Sequence, residues 1–108
     1  MEAKGFGAEL LLAGDHLDVA LSGRLDTITA PELLEKYESI TKDRTVASVT
    51  IDNQNLQYIS SAGLRVMLII YKALKNKENF RMMNVSAEVK EILEVTGFDQ
   101  FLLGEAQD

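Results

Sequence analysis

The chain opens with two short apolar runs, Ala8 to Ala13 and Leu17 to Leu21, separated by Gly14-Asp15. In the second run Leu17, Val19 and Leu21 alternate with Asp18, Ala20 and Ser22, the period of a strand with one buried face. The pair predicts a hairpin, although Gly-Asp reverses the order most favoured in two-residue turns. Gly23 to Ile28 reads as a loop. Thr29-Ala30-Pro31-Glu32 then reads as a helix start, with Thr29 and Glu32 spaced for a capping box and Pro31 in the first turn. Leu33, Leu34, Tyr37 and Ile40 continue at helical spacing and predict a helix ending near Thr41 to Asp43.

Val46 to Ile51 is β-branched and nearly continuous, the pattern of a central strand covered on both faces. Asp52 to Gln57 reads as polar and exposed, with Leu56 and Ile59 anchoring it. Leu64 to Leu74 is apolar almost all round, so this helix is either buried or shared with a partner. Lys72, Lys75 and Lys77 gather at its end, where cations oppose the helix dipole. Asn79 to Asn84 predicts a short strand. Ser86 caps a third helix carrying Val89, Ile92, Leu93 and Val95, and Gly97 is its left-handed stop. Phe101-Leu102-Leu103 reads as a last short strand or apolar anchor. The order β-β-α-β-α-β-α-(β) implies one α/β domain over residues 1–108. Its sheet is small and mixed, three or four helices pack on it, and residues 105–108 form a loose tail.

Composition narrows the function classes. At 108 residues there is one core to build, and with four Phe, three Tyr and no Trp it is mostly aliphatic. A net charge of −6 disfavours nucleic-acid binding, which draws on clustered Lys and Arg. Without Cys there is no disulfide framework and no thiolate chemistry. The longest unbroken apolar run, Val66 to Tyr71, is too short for a membrane span, and the opening residues do not resemble a signal peptide. These features predict a cytoplasmic protein with no membrane and no nucleic-acid partner.

The chemistry concentrates in Tyr58-Ile59-Ser60-Ser61-Ala62-Gly63-Leu64-Arg65, where a strand hands over to a helix. A helix start has unpaired N–H groups and partial positive charge, so it accepts either a serine cap or a phosphate. On these residues alone, a capping serine and a phosphorylation switch are evenly matched. Arg65 lies one turn on, placed to meet a phosphate on Ser61. Gly63 allows close approach, of a neighbouring element or of a docking partner. Serine catalysis needs a base, and the single His, His16, reads as a solvated turn residue far from Ser61 in sequence. Ile59 also stands where a nucleophile elbow has Gly, and no Gly-Lys-Ser/Thr loop exists to hold a nucleotide phosphate. Asp26 reads first as a turn residue bonding nearby N–H groups, second as a polar contact to a partner or nucleotide. Met67, Met82 and Met83 read as core filler.

The run from Leu56 to Arg65 resembles the signature of the STAS domain family, specifically bacterial anti-sigma factor antagonists. Ser22-Gly23-Arg24-Leu25-Asp26 with Ala30 is similar to the family's loop before its first helix, and Asn84 to Lys90 with Gly97-Phe98 to its closing helix. The resemblance implies a non-enzymatic protein, without cofactor or metal, that binds an anti-sigma factor serine kinase. Phosphorylation at Ser61, with Ser60 the less favoured acceptor, would release that partner, and a PP2C-type serine phosphatase would reverse it. The same resemblance implies partner contact by Asp26, Thr27, Ser60, Ser61, Ala62, Gly63 and Arg65. The alternative is a STAS scaffold or small-ligand module with no phosphorylation.

Overall fold

The opening hairpin forms, and it extends beyond its apolar runs. The computed structural model describes residues 6–102; the expected tail at 105–108 lies outside them. Strand β1 (Phe6–Ala13) pairs antiparallel with β2 (His16–Leu25) across Gly14-Asp15. Gly14 takes φ 64°, the positive angle that a type II′ turn needs at its first central residue. The Gly-Asp order is therefore the correct one for this turn. Strand β2 runs through Gly23, Arg24 and Leu25, which the sequence assigned to a loop.

Helix α1 (Ala30–Thr41) follows, then β3 (Ser48–Ile59), α2 (Ser61–Ala73), a short 3-10 turn at Lys77–Asn79, β4 (Phe80–Met83), α3 (Ala87–Thr96) and α4 (Asp99–Leu102). The sheet order is β1-β2-β3-β4, with both pairs after the hairpin parallel, so the sheet is mixed as expected. Of the two readings of the last apolar segment, strand or apolar anchor, the structure gives the anchor: Asp99–Leu102 closes one helical turn, α4, with Leu102 buried. Leu103 lies outside the described residues.

Strand β3 departs most from expectation. It is longer than Val46 to Ile51, starting at Ser48 and running on through the stretch read as polar and exposed. Its buried positions are Val49, Ile51, Asn53, Leu56 and Ile59. The spacing changes from two to three because β3 carries extra residues relative to β2, between the Ala20 and Ser22 pairings and again between those of Gly23 and Arg24. Such bulges reset the inside–outside phase and hide the strand from a period-two search. Asn53 sits fully buried at the first of them. Its Nδ2 donates to the carbonyls of Ile51 (3.0 Å) and Met83 (3.2 Å), tying β4 to β3.

Among the described residues the helices cover one face of the sheet, which corrects the expectation of a strand buried on both. The core joins Leu17, Val19, Leu21, Val49, Ile51 and Ile59 to Leu33, Leu64, Met67, Ile70, Val89 and Leu93 from the helices. On the other face Glu9, Asp18 and Ala20 are exposed, along with Leu11 and Met83. Met67 is core filler as expected and Met82 packs partly against the core, but Met83 is not part of it. The helix ends follow local chemistry. Ser86 Oγ accepts from the Val89 N–H at 3.1 Å, and Gly97 closes α3 at φ 80°. The Lys77 ammonium donates to the carbonyls of Leu74 and Lys72, satisfying acceptors at the end of α2.

Candidate functional site

Strand β3 ends at Ile59, and the chain turns into α2 through Ser60, whose backbone is extended (φ −99°, ψ 176°). The Ser60 hydroxyl accepts from the Gly63 N–H at 3.4 Å, and its carbonyl accepts from the Leu64 N–H at 2.9 Å. Ser60 is thus the N-cap, and its cap bond is a long one. Ser61 is the first helical residue and is exposed, and α2 has no acidic residue in its first turn. Ser60 takes the capping role, and Ser61 stands exposed at the positive end of the helix. Arg65 is exposed one turn later, and Ala62 is half-buried.

The start of α2 is pinned to the end of β2. The Ser60 N–H donates to the Leu25 carbonyl at 2.9 Å. A Cβ on Gly63 would lie 2.7 Å from Leu25 Cγ and 2.9 Å from the Leu25 carbonyl oxygen. Of the two roles open to Gly63, the structure assigns close approach to a neighbouring element.

That contact carries the loop after Leu25 to the same place. The Asp26 carboxylate accepts the N–H groups of Ile28 (3.0 Å) and Thr29 (3.1 Å), and the Asp26 carbonyl accepts the Ala30 N–H at 2.8 Å. The Thr29 hydroxyl donates to the Arg24 carbonyl (2.7 Å) and accepts the Asp26 N–H (2.9 Å). Thr29 is the N-cap of α1 by position but makes no side-chain cap bond, so the expected capping box does not form. The loop uses its hydroxyl, and the Asp26 carboxylate satisfies the amides ahead of the helix. The Arg24 guanidinium stacks 4.2 Å from the Tyr58 ring centroid, with its Nε 3.9 Å from Asp26 Oδ2.

These donors hold the Asp26 carboxyl below the ordinary carboxylate range. The Thr29 N–H contributes most, and partial desolvation opposes it; the Ile28 N–H, the Thr29 hydroxyl and Arg24 add to the lowering. A folded-state value below the unfolded one stabilises the loop above the unfolded value, and that contribution is lost only as pH falls through the folded value. In an acid titration followed by NMR, the Ile28 and Thr29 amides should keep their neutral-pH shifts through the usual aspartate midpoint and move below it. A midpoint at the ordinary value would show that these bonds do not hold in solution.

Thr27 and Ile28 form the exposed tip of this loop, Ile28 being 78% exposed. Along α2, Ile69 (41% exposed) follows Ser61 and Arg65 at helical spacing, with Leu68 half-buried beside it. Exposed apolar groups therefore border the polar cluster. Sequence reasoning did not single them out; the signal for Ile69 was a helix apolar on too many sides.

His16 stands at the other end of β2, some ten residues and about 30 Å of strand from Leu25. It is not simply a solvated turn residue. It is half-buried, its Nδ1 lies 2.6 Å from Ser48 Oγ, and its Nε2 lies 3.1 Å from Asp18 Oδ1. It is no base for Ser61. Nor does Ser48 have an oxyanion site at its own backbone, because the Ala47 and Ser48 N–H groups both donate to the Asp15 carbonyl. Among the described residues no helix is long and apolar enough to cross a membrane.

Comparison with known proteins converges on one family. The STAS domain model matches residues 8–106. The anti-sigma-B factor antagonist of Listeria monocytogenes is 26% identical over 89 residues, covering 82% of this chain and 77% of that protein. BtrV of Bordetella bronchiseptica, a candidate anti-sigma factor antagonist by its name, is 34% identical over 83 residues, 76% of this chain and 71% of that protein. Among solved structures, an anti-sigma factor antagonist from Mycobacterium paratuberculosis superposes with a TM-score of 0.76 at 22% identity, covering 95% and 88% of the two chains. Unphosphorylated SpoIIAA gives 0.73 at 16% identity, covering 94% and 90%, and phosphorylated SpoIIAA from Bacillus gives 0.64 at 15%, covering 94% and 93%. With nearly the whole of its length matched and the same mixed sheet and helices, the chain belongs to the STAS domain family.

Proposed function

We propose that this STAS domain is an anti-sigma factor antagonist that works by partner switching. In its unphosphorylated form it binds an anti-sigma factor of the serine-kinase type, freeing the sigma factor for transcription. The kinase transfers the terminal phosphoryl group of ATP to Ser61 Oγ. The bond to the nucleoside diphosphate breaks, and the hydroxyl proton passes to a base on the kinase. The phosphorylated form lets go, and a serine phosphatase of the PP2C type restores the hydroxyl. The protein performs no catalysis of its own in this cycle.

One observation carries the reading. Ser60 caps α2, which leaves the Ser61 hydroxyl exposed at the helix start. A phosphate there adds about two negative charges at the positive end of α2, with Arg65 one turn away, and need not disrupt the cap. The Asp26 loop, held beside it through Leu25, supplies a fixed carboxylate and the exposed Thr27 and Ile28. An apolar group on a hydrogen-bonded loop binds at little ordering cost. The names of the sequence relatives, and a structural neighbour solved in both phosphorylated and unphosphorylated forms, agree with this cycle.

The test is phosphorylation by the cognate kinase-type anti-sigma factor with ATP, with the modified residue mapped by mass spectrometry. Wild type should take up one phosphate at Ser61, and Ser61→Ala none. Equal uptake by Ser61→Ala, or phosphate on Ser60, would refute the assignment.

A further inference from the structure

Arg24 borders the Asp26 loop at the end of β2. Its register partner on β3 is Tyr58, and the guanidinium lies over that ring, 4.2 Å from the centroid. Stacking occupies a face of the guanidinium, while its N–H donors lie in the plane and stay available. Among the described residues those donors make no hydrogen bond. The carboxylate within ion-pair range is Asp26, whose Oδ2 is 3.9 Å from Nε, beyond hydrogen-bond reach. The Arg24 side chain is 57% exposed.

The Asp26 carboxylate is divided in a matching way. Oδ1 accepts the N–H groups of Ile28 and Thr29, whereas Oδ2 accepts no hydrogen bond among the described residues. Arg24 is therefore seated by an aromatic face and not tied down by the carboxylate next to it. A long exposed side chain normally loses rotamer freedom when it is bound. The seat on Tyr58 removes part of that freedom in advance, so a ligand meets an ordered guanidinium.

We propose that Arg24 takes a carboxylate of the anti-sigma factor in a planar, two-bond pair, with Tyr58 as its positioning residue. This rests on the partner-switching reading and names the chemistry of the partner's surface. The direction of the switch selects a carboxylate. The charged groups of this surface are Arg24, Asp26 and Arg65, so cations outnumber the carboxylate, in a chain whose net charge is −6. The unmodified surface is locally positive and suits an anionic contact. A phosphate on Ser61 adds about two negative charges and reverses that sign. A partner carboxylate fits the first state and is repelled in the second. A cationic contact at the same place would bind the phosphorylated form more tightly, the opposite of release.

The test titrates the cognate kinase-type anti-sigma factor into wild type and variants at low and high salt. Arg24→Gln should bind about tenfold more weakly at low salt, with a smaller difference at high salt. Arg24→Lys should fall between, because it keeps the charge and loses the planar fork. Melting should stay that of wild type, since the backbone carbonyl of residue 24 still accepts the Thr29 hydroxyl. Tyr58→Leu should weaken binding on its own and add little to Arg24→Gln; additive losses would deny Tyr58 the positioning role. If Tyr58→Leu does not fold, the Arg24 variants decide alone. Arg24→Glu should regain affinity for a partner in which one surface carboxylate is replaced by Lys, and no rescue by any such replacement would overturn the carboxylate assignment. An Arg24→Gln affinity within about twofold of wild type, with Ser61→Asp still releasing the partner, would overturn the role of Arg24 and leave partner switching standing. Failure of the wild type to bind would overturn both.

Discussion

Ser61→Asp should weaken binding of the anti-sigma factor by about a hundredfold or more, while the melting transition stays close to that of wild type. Ser61 is exposed and outside the cap contact, so the substitution removes no packing and leaves the Ser60–Gly63 bond in place. A carboxylate in the first turn of α2 is favourable to the helix by a few tenths of a kcal/mol to about one. On the proposed reading, the complex takes that charge from water into an interface shared with the Asp26 loop, whose carboxyl is held below the ordinary carboxylate range. Such juxtapositions cost several kcal/mol, and each 1.4 kcal/mol is about tenfold in affinity. Calorimetric titration of both forms with the partner measures the ratio. An affinity within a few-fold of wild type would leave Ser61 as an ordinary helix residue and favour a scaffold role.

Gly63→Ala is expected to destabilise the domain by about 1–3 kcal/mol, against the helix propensity gain of about 1 kcal/mol that the same change brings on an open helix face. The sign is decided by Leu25. The new methyl would press on Leu25 Cγ, Cδ2 and carbonyl oxygen, all within 2.9 Å. The side chain is fully buried and cannot swing clear, and the carbonyl is held by the Ser60 N–H. Relief requires α2 to lift from the end of β2, which would also separate Ser61 from the Asp26 loop. Urea denaturation should show a lower midpoint with little change in slope, together with weaker partner binding. A midpoint above that of wild type would mean that the two elements approach less closely in solution.

The legible parts of this fold were those where local chemistry and tertiary packing agree. Ser86 and Gly97 bounded α3, and the β1–β2 hairpin followed its alternation. The site was legible in outline too, since Ser60, Ser61 and Gly63 all fall at the strand-to-helix junction. Four things were hidden from a local reading. The bulges in β3 shift its buried positions from Asn53 to Leu56, which breaks the alternation that marks a strand. Thr29 looked like a capping-box residue because local spacing cannot show that the Arg24 carbonyl claims its hydroxyl. The last apolar segment had no periodicity to choose between strand and helix, and it became one turn of helix. The exposure of Ile28 and Ile69 depends on which helix faces the sheet leaves uncovered, which only the packed structure shows.

The central claim is that one phosphate on Ser61 releases the partner without unfolding the domain. The most direct test is to prepare the chain unphosphorylated and stoichiometrically phosphorylated, map the site by mass spectrometry, and titrate each form with the same anti-sigma factor. The account predicts tight binding by the first form, a loss of about a hundredfold or more by the second, and recovery after phosphatase treatment. Equal affinity of the two forms, with the phosphate mapped to Ser61, would contradict it.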